Sequence, residues 1–226
     1  MWFITKGHRG GSRRIKDYGC GLIAFADLIL YLAVHRDKKL PAPLKPFFEI
    51  GSMPDKDRYM KYVRYLDRKY LPVIPKFGLS GYAIAISLNL FFLIRRLPYR
   101  AWWMWTLSSG RMLARMEQML ENDIPVIFSI GPNTPFVWVK KGIPFYSKDL
   151  SGDFIVRETV CAHYVTLTGI FRDPKTERTM LRISSWGKEL FVDYNEYRAY
   201  IRRRGGRFTS SMIYIHANPA SSAMSV

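Results

Sequence analysis

The chain carries two cysteines, Cys20 and Cys161, and four histidines. Two of these six side chains stand where thiol chemistry would need them. Cys20 follows Asp17-Tyr18-Gly19 and opens a run in which Leu22, Ile23, Ala26, Ile29, Leu30 and Ala33 recur at helical spacing. The spacing predicts a helix from about Cys20 to Val34, with the thiol in its first turn. There, unpaired N–H groups and the helix dipole favour a negative charge. A helix start together with an imidazole lowers a thiol pKa to ~3.5–7.5. His163 opens an apolar stretch of strand length, far downstream. Such partners meet in space and not in sequence. The chemistry these two residues would do is acyl transfer, with the thiolate attacking a carbonyl carbon and the imidazole carrying the proton.

The words around both residues carry a resemblance. Asp17-Tyr18-Gly19-Cys20-Gly21 at a helix start, His163-Tyr164-Val165-Thr166-Leu167-Thr168-Gly169, and Ile183-Ser184-Ser185-Trp186-Gly187 follow in that order, with Asn122-Asp123-Ile124-Pro125-Val126-Ile127 before the histidine. The chain resembles the papain-like cysteine peptidases, closest to the bacterial branch that processes double-glycine leaders. The resemblance implies an α+β fold, with an N-terminal helical lobe packed on a C-terminal antiparallel sheet and the cleft between them. It also implies Cys20 as nucleophile, His163 as base, and Ser184 at the position where the family carries the asparagine that orients the imidazole. A serine reaches less far than an asparagine and holds no charge, so Asp173 or Asp193 is an alternative orienting group. The family's oxyanion-binding glutamine is missing, since no Gln or Asn precedes Cys20. Arg14, Ser12 and Lys16 are the candidates to replace it, and Trp186 is a further candidate at the site.

The remaining groups have plainer readings. Cys161 would share a strand face with His163 and packs as a small hydrophobe, with a disulfide to Cys20 as the alternative. His8 and His35 lie in basic connections, and His216 ends a strand. No cysteine or histidine pair has zinc-ligand spacing, and the proposed chemistry requires no metal or organic cofactor. Lys56, Arg58, Lys61, Arg64, Arg68 and Lys69 alternate with Tyr59, Tyr62, Tyr65 and Tyr70, and Arg202-Arg203-Arg204 forms a second cluster. Basic residues interleaved with aromatics can track nucleic acid. The tyrosines fall on several helix faces, however, so a solvated basic face is the favoured reading.

Other elements must position these residues. The 226 residues, 48% hydrophobic, suffice for a packed core in one domain. Helices are expected over about 55–70, with Met60, Val63 and Leu66 or Tyr70 inward, over about 81–96 as a buried core helix, and after Ser109 on Met112, Met116 and Met119. Strands are expected over about 124–130, 136–139, 154–160, 163–171, 180–186 and 208–216, with a short helix near 195–203. The division falls into a helical lobe of about 1–122 and a sheet lobe of about 123–226. No apolar run is long enough to span a bilayer, and no signal-peptide pattern opens the chain, so a cytoplasmic location is expected. The formal charge of +17 draws anionic partners. Three functions fit these features: a peptide or amide hydrolase, a cell-wall peptidoglycan amidase using the same pair, and a non-catalytic relative that binds peptide or nucleic acid. The oligomeric state is not encoded in any of them.

Overall fold

The computed structural model describes residues 13–36, 44–45, 55–74, 79–105, 109–131, 142–185, 187–205 and 211–217. Its first two helices, α1 (Arg13–Tyr18) and α2 (Cys20–Tyr31), abut at Gly19. The Gly19 N–H donates to the Ile15 carbonyl at 2.9 Å. A Cβ at this position would lie 2.4 Å from that oxygen, so a side chain would push the two helices apart. Helix α2 is buried almost all round, as expected of an element at the centre of a core. It continues into a wider π-type turn, Leu32–Arg36.

Helix α3 (Lys56–Lys69) starts where Asp55 accepts the Arg58 N–H at 2.8 Å. Met60, Val63, Leu66 and Tyr70 are buried, as the spacing predicts. Helix α4 (Gly81–Arg95) is capped by Ser80, which accepts the Ala83 N–H, and ends at Arg96 in the left-handed region, φ 51°. The expectation of a buried core helix holds for one side only. Ile84, Leu88, Phe91 and Phe92 face inward, whereas Tyr82, Ile86, Leu90, Leu93 and Ile94 are exposed. Helix α5 (Ser109–Glu121) buries Met112, Met116 and Met119.

Among the described residues, eight strands form one antiparallel sheet: β1 (Tyr99–Trp105), β2 (Val126–Ile130), β3 (Ile143–Lys148), β4 (Phe154–Val160), β5 (His163–Arg172), β6 (Thr179–Ser185), β7 (Lys188–Asp193) and β8 (Ser211–Ala217). Their order is β1-β8-β2-β5-β6-β7-β3-β4. A last helix, α6 (Tyr194–Tyr200), is capped by Asp193, which accepts the Asn195 and Glu196 N–H groups.

The α+β class is therefore present, but the expected partition into a helical half and a sheet half is not clean. The tryptophan segment is strand β1, and it pairs along its length with β8. The outer edge of β1 is held by α4. Asn89 donates to the Ala101 carbonyl at 2.8 Å and accepts the Ala101 N–H at 2.9 Å, as a neighbouring strand would. Strands β3 and β7 were not expected from the sequence, and the strand expected at 136–139 lies outside the described residues.

Helix α2 lies on β5 and β2, α4 on β1 and β8, α5 on β8, β5 and β2, and α6 on β6 and β7. One continuous core joins α2, α3 and the inner side of α4 to the sheet. A smaller cluster gathers Tyr146, Met180 and Phe191 with Phe154 and Phe171 near the β4 edge.

Candidate active site

Cys20 takes the first position of α2, behind the glycine that breaks the chain there. Gly21 lets the helix settle on β5. A Cβ on Gly21 would come 3.1 Å from the Tyr164 ring and 3.0 Å from Ile84. The contact brings the thiol to the start of β5. Burial pushes the Cys20 thiol above its ordinary 9.0, opposed by the N–H groups of Tyr164, Gly21 and Cys20 itself, which favour the thiolate.

His163 opens β5 and is 8% exposed. Burial lowers its imidazole to about 4. Its Nε2 shares a 2.7 Å hydrogen bond with the Ser185 hydroxyl, itself buried. Successive strand residues face opposite sides. Tyr164 turns to α2, and its buried hydroxyl meets Ser129 and Ser211. His163 turns the other way, with Val165 and Leu167. At neutral pH the thiol and the imidazole both rest uncharged.

Of the two serines in the Ile183-to-Gly187 motif, it is Ser185 that meets the histidine. Ser184 is half-buried and stands across from Thr166 on one side and Glu189 on the other. Strand alternation separates the two serines, a signal that resemblance to the motif alone did not weigh. Asp173 and Asp193 are committed elsewhere. Asp173 accepts the Thr176 N–H at 3.1 Å and its hydroxyl, and Asp193 caps α6 and pairs with Arg178 at 3.7 Å.

Arg14 is held away from an oxyanion role by its own bonds. Its guanidinium donates to the Val73 carbonyl at 2.7 Å and pairs with the buried Asp67. Ser12 and Trp186 lie outside the described residues. Cys161 is a free thiol, as is Cys20. It stands in a bend before β5 and not on the strand, so strand alternation does not align it with His163. Its carbonyl accepts the Tyr200 hydroxyl at 2.7 Å. Among the described residues, no group of three His, Cys, Asp or Glu side chains is placed to hold a metal ion.

Of the other histidines, His8 lies outside the described residues, and His35 and His216 lie apart. His35 is exposed and stacks on Tyr31, while His216 accepts the Trp102 indole N–H at 3.1 Å. In the basic–aromatic stretch of α3, Tyr59, Tyr62 and Tyr70 are core residues, so they offer no stacking platform for bases.

Sequence reasoning missed one titratable group. Asp27, two turns along α2 from Cys20, accepts a 2.5 Å hydrogen bond from Tyr59. Burial raises its carboxyl to about 7, although the Tyr59 bond opposes this. Its signal was an aspartate inside an otherwise apolar helical run.

No family model matches this chain, and no curated protein or solved structure matches it either.

Proposed function

We propose that the chain is a cysteine-dependent hydrolase of peptide or other amide bonds, with Cys20 as nucleophile and His163 as proton carrier. The observation that supports it is the seat of Cys20. The thiol stands in the first turn of a buried helix, against the strand that His163 opens, and the histidine ring is held by Ser185. In this reading Sγ adds to the carbonyl carbon and the His163 ring, which must first turn from the side of β5 away from α2 to reach the thiol, takes the thiol proton. The C–N bond then breaks as the imidazolium returns that proton to the departing amine. Water, giving a proton to the same ring, cleaves the thioester, and the thiol is restored. Because burial holds both groups neutral, proton transfer accompanies attack; no thiolate–imidazolium pair waits in the resting protein. Ser185, in place of Ser184, orients the ring.

That His163 faces away from α2 on β5 favours a second reading, a papain-like protein that binds a peptide without cleaving it. The two readings separate on hydrolysis of a mixed peptide substrate, with purified peptidoglycan run in parallel. On the first, Cys20→Ser and His163→Ala each lose at least ~100-fold in rate, and Cys161→Ser retains it. Undiminished hydrolysis by Cys20→Ser would overturn it. If the folded protein cleaves neither substrate and still binds the peptide, the second reading stands.

A further inference from the structure

We propose that the outer face of α4, with the adjoining end of β1, is a docking surface for an anionic lipid bilayer. The exposed apolar residues of α4 are not scattered. Tyr82, Ile86, Leu90, Leu93 and Ile94 recur at spacings of four, four, three and one, so they make one stripe on the side away from the core. Their exposure runs from 43% at Leu90 to 76% at Leu93. Water-facing apolar side chains are ordinary when single; a contiguous stripe marks an interaction surface.

The stripe continues onto the sheet edge. Trp103 packs edge-on to Tyr82, with ring centroids 5.8 Å apart, and onto Trp105 at 4.7 Å; Trp105 is itself exposed. Indole rings flanking an apolar helix face suit the headgroup boundary, where one end is wet and the other apolar.

Charge decides the occupant. No Asp or Glu stands between Asp67 and Glu117, so every charged residue in the segment that builds α4 and β1 is Lys or Arg. Arg96 is exposed at the end of the stripe, whereas Arg100, with its guanidinium 5.4 Å from the centroid of the Trp102 ring, lies on the other side of β1. A second copy of this chain meeting the same face would set Arg96 against its own kind with no carboxylate of this segment between them. A nucleic acid would satisfy Arg96 and leave Leu93 and Ile94 in water. An anionic bilayer takes both parts, the apolar stripe into the acyl boundary and Arg96 to the headgroups. Among the described residues no helix is long and apolar enough to cross a membrane. The contact is therefore one of lying on the surface.

The test is co-sedimentation of the full chain with vesicles of phosphatidylcholine alone or mixed with phosphatidylglycerol, with tryptophan emission read in parallel. We expect binding to the mixed vesicles with a blue shift, and much weaker binding to the neutral ones. Ile86→Gln with Leu93→Gln should weaken it more than ten-fold, and both side chains are exposed enough that folding is kept, which circular dichroism checks. Arg96→Ala should weaken it roughly 5-fold. Failure of the folded protein to bind either vesicle overturns the proposal. So does binding that ignores both Ile86→Gln with Leu93→Gln and Arg96→Ala. A dimer in light scattering that Ile86→Gln with Leu93→Gln converts to monomer would give the face to a second copy instead.

Discussion

A histidine without charge and a serine beside it form a small unit with a definite expectation. The Ser185 hydroxyl is the group that fixes the His163 ring in the structure, and Ser184 points away from it. Ser185→Ala should therefore change the imidazole ¹⁵N shifts and tautomer balance and, on the proposed hydrolase reading, lower the rate by ~10–100-fold, the loss of a bond that orients the proton carrier. Ser184→Ala should leave both within error. Equal effects of the two substitutions would remove Ser185 from the role.

At the same scale, Asp27 and His163 are opposite in sign. His163 is held neutral, down to about 4 from 6.5, so below pH 6.5 the unfolded chain takes a proton that the fold refuses. Stability falls as pH drops through that window, by about 3 kcal/mol at the limit. Asp27 is held protonated, up to about 7 from 3.8, so above pH 3.8 the unfolded chain releases a proton that the fold keeps. Stability falls as pH rises toward 7, by about 4 kcal/mol at the limit. Between pH 4 and 6.5 the two slopes oppose each other. Urea unfolding across that range should show His163→Gln growing less stable with rising pH and Asp27→Asn less stable with falling pH. Parallel profiles for the two variants would show that burial does not hold these groups neutral.

At the scale of elements, glycine and amide side chains make the junctions. Gly19→Ala puts a methyl into the Ile15 carbonyl and should cost ~2–4 kcal/mol, read as a lowered urea midpoint. Asn89→Ala removes both side-chain bonds from the outer edge of β1 and should cost ~2 kcal/mol, with faster amide exchange at Ala101 as its local signature. The helices were largely legible in the sequence, because apolar residues at three- and four-residue spacing and caps such as Asp55 and Ser80 are local signals. The start of α2 at Cys20 and of β5 at His163 was legible for the same reason. Strand β1 was not, since Tyr-Arg-Ala-Trp-Trp-Met-Trp shows no clean alternation and its order comes from β8 and Asn89, both distant in the chain. Strand β7 was hidden by its polar start at Lys188-Glu189. The choice between Ser184 and Ser185 turned on register, which no local pattern carries. The two-sidedness of α4 was also illegible, because both of its faces are apolar.

For the whole molecule, the formal charge of +17 is uneven in its consequences. It leaves α4 and β1 without a carboxylate, whereas buried acids are spent inside the fold: Asp67 on Arg14, Asp173 on the Thr176 turn and Asp193 on α6. Raising ionic strength from 0.05 to 0.5 M should therefore stabilise the protein by screening its self-repulsion, by ~1 kcal/mol or more in the urea midpoint. A fall in stability with salt would show that the few surface ion pairs outweigh that repulsion.

The sheet order has a consequence for how the protein is made. Strand β8, last in chain order, lies between β1 and β2, and those two have no other strand joining them. While the ribosome is still translating the residues before Ser211, β1 has no strand partner among the described residues, and α4 with its outward apolar stripe packs on β1 and α2. The nascent chain thus carries an open edge at β1 and a second at β2 until Ser211–Ala217 has emerged. Those edges call for a chaperone during synthesis, and they are why a chain cut after Gly205 should aggregate where one that includes β8 folds.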